Sequence, residues 1–178
     1  ASGATARRCG RRATVPCGPG SGDGSRPTPV LVGQPAEDVL EALRAGAYAC
    51  HFIVEGGEDY ASIGFVILQG CRNPQRSVEL KRLVMQTKGR GYGRACVRLL
   101  KQMAFRDLHA HRFWLDVKQL NTRALALYAS EGFVEEGRLR ESVRVSIDGA
   151  DGYDSLVVMS MLDREYQARR ALGLEGDT

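Results

Sequence analysis

The chain has 178 residues, of which 43% are hydrophobic, with a formal net charge of +4 and five cysteines. That length suits one domain with a real core. No apolar run of about 18 residues is present, which excludes a membrane-spanning helix, and the first residues lack the charged-then-apolar order of a secretory signal. The excess charge sits in residues 1–28, where Arg7, Arg8, Arg11, Arg12 and Arg26 face only Asp23. The remainder is balanced, so a nucleic-acid partner is not expected. Cys9, Cys17, Cys50, Cys71 and Cys96 form no C-x-x-C pair, and His51, His109 and His111 do not cluster with them. This excludes a disulfide framework and a zinc site; no metal is expected, and the thiols suit a reducing cytoplasm.

In chain order, residues 1–28 are Gly, Arg, Pro and Ser with almost no large apolar side chain. Such a segment cannot offset its ordering entropy and is predicted to be a disordered tail. A domain is expected over 29–168, followed by a flexible end over 169–178. "TPVLVG" can form a short first strand, and "PAEDVLEALRAGA" places Val39, Leu40 and Leu43 on one helical face. "ACHFIVEGG" and "YASIGFVILQG" read as a hairpin, and "SVELKRLVM" as a further extended segment. Cys96, Leu99, Leu100, Met103 and Ala104 recur at helical spacing, which predicts an amphipathic helix over 93–108. "HRFWLDV" is a strand, with Phe113 and Trp114 read as core. "NTRALALYASEG" is a short helix that Asn121 can cap and Gly132 can end. "FVEEGRLRESVRVSID" and "DSLVVMSML" complete an α/β sandwich with a mixed sheet.

Between the fourth extended segment and the first strong helix lies "TKGRGYGRA", residues 87–95. The first N–H groups of a helix lack partners inside it, and its dipole favours an anion. Glycines let those N–H groups converge, while Lys88, Arg90 and Arg94 supply charge-assisted contacts. The spacing is G-x-G-x-G at Gly89, Gly91 and Gly93, which matches neither G-x-x-x-x-G-K-[ST] nor G-x-G-x-x-G. A glycine-rich turn and a pyrophosphate cradle both remain compatible with the loop alone.

Together, "LVMQTKGRGYGRA" and "NTRALALYASEGF" resemble the GNAT superfamily of acetyl-CoA-dependent N-acetyltransferases over roughly residues 36–165. The family's [QR]-x-x-G-x-[GA] motif corresponds to Lys88 through Gly93, with Lys in place of Gln or Arg. The second block is matched by Asn121, Ala124, Leu127, Tyr128, Gly132 and Phe133. The resemblance implies a mostly antiparallel mixed sheet with helices on both faces and a V-shaped splay between strands 4 and 5. It implies that the pantetheine arm of acetyl-CoA pairs with main chain around Leu83, Val84 and Met85. The pyrophosphate would rest on amides from Lys88 through Gly89, Arg90, Gly91, Tyr92 and Gly93 to Arg94. It also implies that Asn121 touches the pantetheine arm and that Tyr128 protonates the leaving thiolate.

Glu79 is the candidate base, placed by strand alternation on the same side as Lys81, Leu83 and Met85; its alternative is an ordinary ion pair with Lys81, Arg82 or Arg76. The acceptor expected is a primary amine on a small molecule or a protein N-terminus, and Glu79 and Glu135 would suit a cationic one. The front of the domain has room for one short strand and one helix where family members carry a strand and two helices. A CoA-binding module with impaired catalysis is therefore the alternative reading. No membrane partner is expected, and a homodimer is compatible with a sandwich of this size.

Overall fold

The computed structural model describes residues 30–32, 49–56, 61–86, 88–147 and 150–175. Seven strands form one sheet: β1 (Val30–Val32), β2 (Ala49–Gly56), β3 (Ala61–Gln69), β4 (Ser77–Met85), β5 (Arg112–Lys118), β6 (Val134–Ile147) and β7 (Ala150–Leu162). Their order is β1-β2-β3-β4-β5-β7-β6. Every neighbouring pair is antiparallel except β4–β5, which is parallel. Helix α1 (Tyr92–Gln102) runs into a π-helical turn (Met103–Asp107), so the two together fill the helix expected over 93–108. Helix α2 (Thr122–Ser130) follows β5, and α3 (Asp163–Ala171) follows β7. The predicted tail and the predicted helix in "PAEDVLEALRAGA" lie outside the described residues. Among the described residues no helix is long and apolar enough to cross a membrane.

The three helices meet over one face of the sheet through a chain of aromatic rings. Phe113 of β5 has its ring centroid 6.3 Å from Phe105 of the π-helical turn and 5.7 Å from Phe133. Phe105 stacks on Tyr166 of α3 at 4.7 Å, and Phe133 meets Tyr128 of α2 at 5.7 Å. Strand alternation adds Leu115, Val117, Val157, Met159 and Met161 to the same buried layer. Trp114 departs from its core reading: it is half-buried on the opposite face, with the Arg112 guanidinium 5.1 Å from its ring. The odd residues 113, 115 and 117 fill the core, which leaves Trp114 to the other side.

Two irregularities shape β4. It pairs with β5 only at Ser77–Arg112, Val78–Phe113 and Glu79–Trp114, after which the parallel strands separate into an open notch. The register against β3 also slips from Leu68–Leu80 to Ile67–Arg82, leaving Lys81 as an extra residue. Such a bulge bends its strand and reverses the alternation beyond it. Val78 and Leu80 are buried before the bulge, and Leu83 and Met85 pack against the core after it. Gly64 of β3 makes the close approach at the far end, where a Cβ would fall inside contact distance of the Val84 carbonyl oxygen. Gly64→Ala is therefore expected to displace the end of β4 and to cost about 1–3 kcal/mol, read as a lower Tm together with weaker binding in the notch.

Part of the stretch from residue 169 on, expected to be flexible, carries structure in residues 169–175. Helix α3 continues to Ala171, and Glu175 is buried beside Lys101 and Arg169, with Nζ–Oε2 and Nε–Oε1 distances of 2.6 Å each. One partner of Glu175, Lys101, lies 74 positions away, beyond the reach of local sequence pattern.

Candidate active site

The loop after β4 turns sharply into a helix N-terminus. Gly89 and Gly91 adopt φ of 86° and 82°, in the left-handed region that L side chains rarely occupy. Gly91 is the N-cap of α1 and brings no side chain to cap the helix. The first α1 backbone bond runs from Ala95 N to Gly91 O at 3.1 Å, so the N–H groups of Tyr92, Gly93 and Arg94 precede it without a partner inside the helix. Helix α2 contrasts with this, because the Asn121 side chain accepts a bond from Ala124 N at 3.2 Å. One helix end is closed by its own sequence, while the other is left for an anion.

Both helix ends open on one cleft of about 470 Å³, a size that suits a small-molecule site. The structure brings Leu83, Met85, Lys88, Gly89, Gly91, Tyr92, Gly93, Arg94, Asn121 and Tyr128 to its walls. Of the residues expected there, three are not on its walls. Val84 is exposed and alternates away, although its main chain lies between two lining residues. Arg90 is exposed on the outer side of the loop. Glu79 does not share the face of Leu83 and Met85, because the bulge at Lys81 reverses the alternation between them. Its carboxylate pairs with Lys81 at 3.1 Å, one of the ion pairs open to it from sequence.

Glu79 nevertheless occupies a telling place. It belongs to the last β4–β5 pair, opposite Trp114, and so marks the vertex of the notch on the sheet face away from the helices. Asp116, two residues farther along β5, has the same outward alternation and stands beside the open part of the notch. Sequence reading passed over Asp116, although the buried alternation of Phe113, Leu115 and Val117 was the signal that could have found it. Glu135 makes no contribution to the cleft: its carboxylate pairs with Arg138 at 2.7 Å on the exposed side of β6.

The cleft's cations divide into two kinds. Lys88 and Arg123 make no ion pair among the described residues and line the cleft. Arg123, in the first turn of α2, was not anticipated. Arg94 is already engaged, with Nη1 2.6 Å from Glu131 Oε1 and 3.0 Å from Ser130 Oγ. Glu131 is 1% exposed; burial opposes its ionisation, but hydrogen bonds from Arg98 and Arg94 and the charge of Lys101 outweigh burial and hold the carboxyl below its usual range.

Tyr128 is both a wall of the cleft and a core residue, 8% exposed. Burial, with a smaller contribution from Cys96, pushes its phenol up to about 12, so the hydroxyl keeps its proton through neutral pH. Burial likewise pushes the Cys96 thiol up to about 12, which makes it a poor nucleophile. Among the described residues no group of three or more His, Cys, Asp or Glu could hold a metal ion.

Residues 32–134 match the acetyltransferase (GNAT) domain family. The spermidine N(1)-acetyltransferase of Vibrio cholerae is 29% identical over 119 residues, which are 66% of this chain and 66% of that protein. The chain thus spans about two thirds of that relative's length. A dodecameric structure of spermidine N-acetyltransferase from Vibrio cholerae superposes with a TM-score of 0.62 at 28% identity, covering 75% of each chain. A structure of the Vibrio cholerae enzyme in complex with CoA and spermine gives a TM-score of 0.60 at 28% identity, over 74% of this chain and 75% of that one.

Proposed function

Because the chain belongs to the GNAT family of acetyl-CoA-dependent N-acetyltransferases, we propose that it moves the acetyl group of acetyl-CoA onto a primary amine of a small polycation of the polyamine type. The observation that carries this reading is the meeting, in one cleft, of an uncapped helix end, unpaired cations and a protonated buried phenol. The amides of Tyr92, Gly93 and Arg94, with Lys88 and Arg123, fit a pyrophosphate. Leu83, Met85, Ala124 and Leu127 supply an apolar wall for the pantetheine arm, with Asn121 at its edge.

The acceptor amine enters the notch from the face that carries Glu79 and Asp116. It attacks the acetyl carbonyl directly, the C–S bond breaks, the thiolate takes the proton of the Tyr128 hydroxyl, and the proton that the nitrogen sheds on becoming an amide passes through solvent to restore the phenol. The ammonium of the acceptor must first lose a proton, and Glu79 is the proposed base. Glu79→Gln is then expected to lower kcat by about 10²- to 10⁴-fold, the usual worth of a positioned base. Asp116→Asn, which removes the neighbouring carboxylate, should raise KM for a polyamine more than KM for a monoamine. If Asp116→Asn lowers kcat by that much and Glu79→Gln does not, the base assignment passes to Asp116. The cationic acceptor is supported by these two carboxylates and by the substrates of the Vibrio cholerae relatives.

The test of the function is thiol release from acetyl-CoA with spermidine, spermine, a monoamine and a peptide N-terminus as acceptors, with product masses. Acetylated polyamine formed in step with thiol supports the proposal, and release with the peptide alone would move the acceptor to protein N-termini. A homo-oligomer is proposed as well, supported by exposed Val134 and Leu139 on edge strand β6 and by the dodecameric relative. Light scattering after gel filtration would check it.

A further inference from the structure

Behind the cleft lies a buried charge cluster for which the acetyl transfer has no use. Lys101 of α1 is fully buried, and its ammonium donates to the Glu131 carbonyl oxygen at 2.9 Å, to Glu131 Oε2 at 3.2 Å and to Glu175 Oε1 at 2.7 Å. All three of its donors are satisfied. Glu131, just past the end of α2, is thereby fixed from behind, and Arg98 Nε donates to both its oxygens at 3.2 and 3.1 Å, while its Oε1 also accepts from Arg94 Nη1 at 2.6 Å. Arg94 belongs to the first turn of α1, next to the unpaired amides, and lines the cleft. Its Nε and Nη2 make no hydrogen bond among the described residues.

We infer that Glu131 is a positioning residue for the cofactor: anchored by Lys101, it grips one corner of the Arg94 guanidinium so that the other N–H groups stand as donors to a phosphate of acetyl-CoA. A guanidinium is planar and can bond a carboxylate along one side and a phosphate along another, whereas an ammonium on a flexible stem has no such fixed fork. Freely rotating, the same side chain would lose rotamer entropy on binding; held by Glu131 and by Ser130 Oγ, it has already lost it. The inference rests on the acetyl-CoA reading of the cleft.

Arg94→Lys separates the two roles Arg94 could have. Lysine preserves the charge opposite Glu131, so the melting temperature should stay close to that of the parent. Affinity for acetyl-CoA, by titration calorimetry, should fall about 10- to 100-fold, as for loss of a charge-assisted bond. The same titration with 3′-dephospho-acetyl-CoA identifies the phosphate: a penalty that persists assigns Arg94 to the pyrophosphate, and one that vanishes assigns it to the 3′-phosphate. Glu131→Gln should also weaken acetyl-CoA, and the double variant should bind no worse than Arg94→Lys alone, because Glu131 acts through Arg94. Affinity within twofold of the parent in Arg94→Lys would overturn the inference, as would fully additive penalties in the double variant. Absence of binding by the parent protein would instead overturn the acetyl-CoA reading itself.

Discussion

Replacing Tyr128 with phenylalanine is expected to lower turnover by about 10²- to 10⁴-fold, the usual worth of a positioned general acid, while acetyl-CoA affinity stays within a few-fold. The substitution removes one oxygen and keeps the ring, which packs on Phe133 at 5.7 Å. A phenol raised to about 12 looks too weak an acid for a thiolate, since free thiols ionise near 8.5. The surroundings resolve this. An anion formed against the buried Tyr128 ring is desolvated as the phenolate is, so a thiolate expelled there is a stronger base than a free one. Because the phenol is protonated throughout the neutral range, its ionisation should not limit the rate below about pH 12. Steady-state turnover at saturating acetyl-CoA, beside a binding isotherm, checks this. Lost affinity with unchanged turnover of the bound complex would make Tyr128 structural.

Lys101→Met is expected to be the most destabilising substitution on the cofactor side of the sheet. Methionine fills much of the space, but Glu131 and Glu175 are left buried beside each other without the ammonium between them. Breaking a buried ion pair from one side costs about 3–5 kcal/mol, which for a domain of this size means a Tm lower by about 6–20 °C. The pH dependence distinguishes charge from packing. Glu131 has a folded-state value below its unfolded value, so its ion pairs stabilise the protein above the ordinary glutamate range near 4.3 and are lost as pH falls through the folded value. Without Lys101 the folded carboxyl takes its proton at higher pH. The deficit of the variant should therefore narrow as the pH is lowered towards about 4. A deficit constant with pH in calorimetric melts would assign the whole effect to packing.

The walls of the cleft were legible because they are set locally. Gly89 and Gly91 require left-handed backbone, Asn121 caps its own helix, and Tyr128 sits at a fixed helical interval from it; each is encoded within a few residues. The mixed sheet was legible from the order of elements and the strand splay entered through the family resemblance, and the three-pair contact between β4 and β5 accords with both. What depends on pairing across the chain was not legible. In "SVELKRLVM" the apolar residues pass from Val78 and Leu80 to Leu83 and Met85, a change of parity that a bulge produces but that sequence alone cannot distinguish from imperfect alternation. Glu79 was therefore placed on the wrong face relative to Leu83. The Lys101–Glu131–Glu175 cluster joins residues 30 and 74 positions apart, and no spacing rule reaches that far.

The most direct test of the account is a calorimetric titration of acetyl-CoA into the parent protein and into Gly91→Val. Gly91 holds φ at 82°, where a β-branched residue is strongly strained, and its carbonyl opens the helix whose amides form the cradle. The account predicts one acetyl-CoA per chain in the parent and loss of that binding in the variant, with the far-ultraviolet circular dichroism of the two proteins alike. No binding by the parent, or equal binding by both proteins, would contradict it.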